Sequence, residues 1–212
     1  MNTDFETPMA ALLAHFQATT AISFTANSAQ DSAVLTSVGN FAGLFPGLPV
    51  VGPGVGEGVT IASLNPGEAT LTLSDAVCDP VTFGAFQAGF QTFGRRLIRW
   101  SEVDAQPALF LRRIGAMDQY DHDSSWSITT LDCEAWLYCR AGADPDTAPD
   151  TGLTALERLV RQSMAFDDPG GDARFTIGGL VYWCRVEGKT DSSPGDQAGQ
   201  AISRIPIRIT LP

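Results

Sequence analysis

Between Trp126 and Arg140 every second residue is apolar or small: Leu131, Cys133, Ala135, Leu137 and Cys139. The positions in between, Ile128, Thr130, Asp132, Glu134, Trp136 and Tyr138, mix acids with aromatics. Successive Cβ atoms of a strand point to opposite faces, so this period of two describes one long strand with a dry side and a mixed side. A single dry side belongs to an antiparallel sheet packed on helices. Nothing else in the chain constrains the fold so tightly. The mixed side has two readings. Trp136 and Tyr138 beside Asp132 and Glu134 suit a protein interface; the same residues also describe a solvated face carrying two aromatics.

Two helices are available to cover the dry side. Thr7 and Pro8 stand at N-cap and N1 of the first, whose Met9, Leu12, Leu13 and Phe16 form one apolar stripe, with His15 off the stripe and solvated. The second runs from about Thr151 to Ala165, with Leu153, Leu156, Leu159 or Val160, and Met164 inward. A strand over Phe175–Glu187, bent at Gly178-Gly179, and a final strand over Ile202–Leu211 complete the sheet. In the last, Ile205, Ile207, Ile209 and Leu211 share a face, and Pro206 predicts an edge or a bulge.

Earlier in the chain, Leu97–Trp100 and Ala108–Leu111 predict a β-hairpin across a turn at Ser101–Gln106, with Pro107 opening the second strand. The stretch Ala21–Ala85 has a different texture. Five short β-prone runs are separated by turn signals such as Gly52-Pro-Gly54 and Asn65-Pro-Gly67, which predicts a small all-β module. Charge divides the chain at the same place. Residues 1–94 hold seven acids and no Lys or Arg, and all thirteen bases fall at or after Arg95. The organisation that follows is an α+β domain, a mainly antiparallel sheet packed on two helices, formed by residues 1–20 and 86–212, with a Gly/Pro-rich β-module at 21–85.

A net charge of −11 disfavours binding to nucleic acid backbones. Cys78, Cys133, Cys139 and Cys184 have no metal-ligand spacing with His15 or His122, and are read as buried free thiols. The acidic first residues precede no apolar leader, and no run approaches the ~20 residues that span a membrane. Acid-rich stretches occur at Asp118–Asp123 and Asp144–Asp150. Neither is accompanied by a paired base, a nucleophile or a Gly-rich cofactor loop, so both read as solvated loops. The chain is therefore expected to be a soluble binding protein, not an enzyme, with no cofactor and no metal.

The order helix, hairpin, long strand, helix and two strands resembles the bacteriophage tail terminator family. The residues that carry the likeness are Arg96-Leu-Ile-Arg-Trp100, Gln106-Pro-Ala-Leu-Phe110, Leu137-Tyr-Cys139, the Asp144–Asp150 loop, Ile177-Gly-Gly-Leu-Val181, Glu187-Gly188, Gly195-Asp196, Gly199-Gln-Ala201 and Ile205-Pro-Ile207. The 21–85 module is a departure from compact members and reads as an insertion for which the family supplies no role. The resemblance implies a virion protein, made in the host cytoplasm, that forms a ring of about six copies by rotational closure. Such a ring caps the tail tube, ends tube growth and meets the head-completion or connector protein, while DNA passes the lumen unbound. Exposed sheet edge and loops would join neighbours. Candidate contact residues are Arg95, Arg96, Arg99, Trp100, Arg112, Arg113, Asp118, Asp121, Asp123, Asp132, Glu134, Trp136 and Tyr138. The arginines would either pair across subunits with Asp118, Asp121 or Asp123, or simply solvate the hairpin. A head-side connector or other neck protein is the alternative reading, and an enzyme built on the acidic stretches a remote one.

Overall fold

The computed structural model describes residues 4–120, 127–140, 150–165, 167, 174–193 and 200–211. The first helix, α1 (Glu6–Thr20), starts earlier and runs further than its stripe suggests. Its N-cap position is Phe5, not Thr7, and its first two backbone donors, Glu6 and Thr7 N–H, are met by the preceding Asp4. The Asp4 carboxylate accepts from the Glu6 backbone N–H at 2.9 Å and from the Thr7 hydroxyl. The Thr7 hydroxyl and the two backbone donors hold its pKa below the ordinary carboxylate value. Met9, Leu12 and Phe16 are fully buried, as their spacing predicts.

The Gly/Pro-rich segment is an all-β unit of six strands. They are β1 (Ala21–Ser28), β2 (Ser32–Leu35), β3 (Val50–Val51), β4 (Ile61–Asn65), β5 (Thr70–Val77) and β6 (Val81–Gly89). Two three-stranded sheets form, β1-β6-β3 and β2-β5-β4. Their seams are joined at both sides, by the bridge Asn27↔Thr36 next to β2 and the bridge Pro49↔Thr60 between β3 and β4. Strand order is therefore cyclic, β1-β6-β3-β4-β5-β2, and the unit is a small closed barrel. Closure removes the free edges that short strands would otherwise offer to other chains. Leu35, Leu48, Ile61, Leu71 and Phe86 fill it. The first of the six strands, β1, is absent from the sequence reading.

The remainder builds one sheet from β7 (Thr92–Gly94), β8 (Ala108–Tyr120), β9 (Ser127–Arg140), β10 (Trp183–Val186), β11 (Asp191–Ser193) and β12 (Gln200–Leu211). The order is β10-β12-β9-β8-β7, with β11 also on β12. Helix α2 (Asp150–Ser163) packs on β9 and β12 and against α1. The chain is thus α+β with two helices and mainly antiparallel sheets. On the dry side of β9, Leu131, Cys133, Ala135, Leu137 and Cys139 are all buried, as their alternation requires.

Three expectations are corrected. The hairpin at 95–114 does not exist: β7 lies upstream, at Thr92–Gly94, and runs parallel to the start of β8. Parallel neighbours need a long crossover. Residues 95–107 supply it, with a short 3₁₀ turn at Trp100–Glu102. Residues Leu97 and Ile98 spend their β-prone side chains on covering the sheet, not on a ladder. Pro206 is not on an edge, because β12 lies between β9 and β10. Its carbonyl accepts from Glu187 N–H, so its missing donor also points to that side, where β10 has ended and β11 has not begun. Finally, only Trp183–Val186 of the predicted Phe175–Glu187 strand pairs as a strand. Residues 176–179 form a turn with positive φ at Ile177, Gly178 and Gly179.

Asp167 makes that turn. Its carboxylate accepts from Thr176 N–H, Thr176 Oγ1 and Gly178 N–H at 2.5, 2.9 and 2.7 Å. Slight burial would raise its pKa, but these hydrogen bonds outweigh it and hold the carboxyl below its ordinary value. A lowered folded-state pKa stabilises above the unfolded value of 3.8 and loses that contribution as pH falls through the folded one. The protection of the amides in residues 176–179 against hydrogen exchange, relative to their intrinsic rates, is therefore expected to fall as pH is lowered below about 4. Asp167→Asn should show the faster exchange at neutral pH. Exchange in that variant equal to the unaltered chain would remove Asp167 from this role.

One continuous core joins barrel, helices and sheet. Gly47 of the barrel lies against Thr151 and Ala155 of α2, and Gly89 against Leu159. Arg158 of α2 stacks 4.7 Å over the Phe45 ring.

Candidate interaction surface

The mixed side of β9 divides into two regions. Near the start of β8 it is covered by the chain itself. Tyr138 is buried with Val103, Ala108 and Phe110, and its hydroxyl donates to Ile98 O at 3.1 Å from the crossover. Burial raises its pKa. Tyr138 is thus used internally and is not presented to a partner. Trp136, half-buried at the same place, donates from Nε1 to Glu134 at 3.0 Å. The crossover arginines Arg96 and Arg99 are exposed, as is Trp100 at 38%.

Further along, the acids of β9 meet bases of β12 across the ladder. Asp132 lies opposite Arg208, with Arg208 Nε at 2.7 Å, and Glu187 holds the same guanidinium. Glu134 receives Arg204 at 3.5 Å, and Arg204 also pairs with Asp191. These carboxylates raise both arginine pKa values, Asp191 and then Glu134 acting on Arg204, and Asp132 and then Glu187 on Arg208. The predicted contact residues Asp132 and Glu134 are therefore engaged within the chain. Arg204 and Arg208 alternate with the isoleucines of β12 in the sequence, but the register that sets them near Asp132 and Glu134 is visible only in the sheet.

Arg95 pairs with Glu6 at 3.2 Å, and Arg113 sits 5.5 Å over the Phe5 ring. Asp118 accepts from Thr129 Oγ1 at 2.7 Å. Among the described residues no ion pair joins Arg112 or Arg113 to a carboxylate, or Asp118 to a base. Asp121 and Asp123 lie outside the described residues, as does the 144–149 acidic stretch. Gly115–Tyr120, read as the start of a loop, continues β8. His15 is not solvated: its Nε2 is 2.6 Å from Ser163 O and its ring 4.7 Å from Phe175.

The most open part of the fold is the far half of the β8–β9 hairpin. From Arg112 to Gln119 every residue of β8 is exposed except half-buried Gly115. Ile114, Met117 and Ile128 are 52, 48 and 45% exposed. Met117 and Ile128 lie on one face, since Met117 opposes Thr130 and Gln119 opposes Ile128. A second apolar patch, Leu180, Tyr182 and Trp183, rises from the turn beside β10, with Arg185 stacked 3.9 Å over the indole of Trp183. The adjacent aromatics Tyr182-Trp183 were the signal for it in the sequence.

No chemistry gathers at the cleft between barrel and sheet. Of about 230 Å³, it is lined by Val50, Val55, Val59, Gln91, Pro107 and Cys139, with the Glu57–Arg140 ion pair at its rim. Burial pushes the Cys139 thiol up to about 12, so its nucleophilic form is suppressed at neutral pH. The same desolvation raises Cys133 to about 12, and Cys184 well above its ordinary value. All four cysteines are free, and Cys78, on the barrel, is exposed, contrary to the expectation of four buried thiols. A colourless aromatic disulfide reagent at pH 8 should therefore titrate one thiol in the native chain and four after denaturation. Two or more fast thiols in the native chain would contradict the burial of the other three. Among the described residues no group of three or more His, Cys, Asp or Glu is placed to hold a metal ion, and no helix is long and apolar enough to cross a membrane.

No protein-family model matches this chain, and no curated protein matches it.

Proposed function

We propose that this chain is a structural assembly subunit of the tail-terminator kind. It forms a ring of about six copies that caps a phage tail tube, ends tube growth, and presents its other side to the head-completion or connector protein. The observation that supports this reading is the β8–β9 arm. Its β8 strand exposes Ile114 and Met117, and its β9 strand exposes Ile128. A monomer that buries its apolar residues elsewhere leaves such a surface for protein contacts. The resemblance of the ordered motifs from Arg96 to Ile207 to tail terminators supports a place at the tail neck, and the acid excess suits a lumen that DNA crosses without sticking.

Negative-stain imaging of the purified chain, alone and mixed with tail tubes, tests the reading. Rings seated on one end of the tubes are expected, with empty capsids left bare. Monomers that never form rings, even on tubes, would overturn it, and rings that seat only on capsids would replace it with a head-side connector.

A further inference from the structure

We propose that the outer edge of β8 is a self-association site, at which two copies pair antiparallel about a twofold axis at Ala116. The inference does not rest on the ring reading. It begins with an inventory of edges. The barrel closes on itself through its two bridges. At β10, the Cys184 N–H donates outward to Phe175 O at 2.8 Å, so the chain's own turn covers that side. Ser192 of β11 is tied to Glu157 of α2 at 2.6 Å. On β8, however, β7 pairs only with Ala108–Phe110. Among the described residues no strand pairs with the outer edge of β8 from Leu111 to Tyr120, which makes it the one long open edge. Exposed edges of this length template pairing with another strand unless blunted by Lys, Pro or a bulge. Here there is no Lys or Pro, but there is one bulge, between Arg113 and Gly115, and three charges, Arg112, Arg113 and Asp118, that a pairing strand must accommodate.

That bulge sets the register. Arg113 opposes Cys133 and Gly115 opposes Asp132, so Ile114 is the extra residue and the faces shift by one beyond it. Arg113, Ala116 and Asp118 consequently lie on one face, and Arg112, Gly115, Met117 and Gln119 on the other. A twofold axis perpendicular to the sheet keeps each residue on its own face, so opposed residues must share one. Centred on Ala116, the edge satisfies this throughout. Arg113 opposes Asp118 of the second copy, Arg112 opposes Gln119, and Met117 meets the Ile114-Gly115 bulge, each contact occurring twice. Arg113 and Asp118, which have no ionic partner among the described residues of one copy, thus find one in the other, while Arg112 meets the Gln119 amide. Gly115 has room for this: a Cβ there would meet nothing within 4 Å. The second copy is the occupant because the edge is complementary to itself in sign and in shape.

A twofold contact uses the same surface on both copies and is complete at two. It cannot close a ring. On the ring reading the edge of β8 holds the free subunit as a pair, and closure falls to the exposed face of the same arm, where Met117 and Ile128 lie.

Sedimentation of the full chain, and of two charge reversals, provides the test. The unaltered chain should sediment as a concentration-dependent dimer. Arg113→Asp and Asp118→Arg each place like charges opposite one another twice, and each should weaken the dimer on the order of a hundredfold. An equimolar mixture of the two variants restores both attractive contacts and should give a heterodimer near the original affinity. That arm also controls for folding, since misfolded variants cannot rescue each other. A monomeric unaltered chain, single variants that associate as well as it does, or a mixture that stays monomeric would each overturn the proposal.

Discussion

Gly89→Ala should cost on the order of 3 kcal/mol or more, the largest effect expected of any methyl group added to this chain. Gly89 ends β6 at a φ of +85°, where side chains are disfavoured. A Cβ there would stand 2.1 Å from the backbone oxygen of Thr20 and 3.0 Å from Leu159 Cδ2. The first contact is with backbone and has no rotamer by which to yield. It also falls where the same Thr20 oxygen accepts from Phe90 N–H at 3.1 Å and Gly89 N–H donates to Pro49 O at 3.0 Å. The end of α1, the end of β6, the approach to β3 and the inner side of α2 all meet at this residue. Urea denaturation followed by far-ultraviolet dichroism would measure the loss; a midpoint within experimental error of the parent would refute the crowding.

Phe86→Ala should cost about 3–5 kcal/mol, the usual range for a large aromatic removed from a closed core. The ring is 2% exposed and stacks on Phe24 at 5.6 Å with an interplanar angle of 19°. Gly52 lies against it so closely that a Cβ at that position would meet the ring at 2.2 Å. The barrel cannot collapse onto the space without breaking its seams. Because barrel and sheet share one core, thermal unfolding of this variant should stay a single transition at lower temperature. A separate early transition confined to the barrel would mean that the two parts fold independently.

These two residues also mark what the sequence hides. The long alternating strand, the buried stripe of α2 and the all-β texture of residues 21–85 were legible because each is a local pattern with strong contrast. β1 was overlooked although its alternation is there: Ile22, Phe24 and Ala26 take turns with Ser23, Thr25 and Asn27, and Phe24 and Ala26 are buried. Barrel closure rests on bridges between residues distant from each other's strands, and no periodicity encodes them. The supposed hairpin failed for another reason. β-propensity records fit to a half-buried surface, and Leu97 and Ile98 obtain that burial by lying across the sheet. His15 was misplaced because its partner, Ser163, arrives from 148 residues away. Of the candidate contact residues, Tyr138, Asp132 and Glu134 proved to be committed within the chain. The sequence supplied their residue types, but only register shows which charges are already matched.

The charge step at Arg95 now has a spatial meaning. Asp31, Glu57, Glu68, Asp75 and Asp79 are all exposed on the barrel, which contributes no base of its own. Among the described residues, Glu57 alone of these is answered, by Arg140 from the sheet. Both parts of the chain are net acidic: the barrel has five acids and no base, and residues 95–212 have seventeen acids against thirteen bases. When copies gather, barrels repel one another over about 10 Å at 0.1 M salt and further in dilute buffer. Any arrangement that brings them side by side will be favoured by added salt, whereas one that splays them apart will tolerate its absence. If copies associate as proposed, the acids of the barrel would make that association depend on ionic strength.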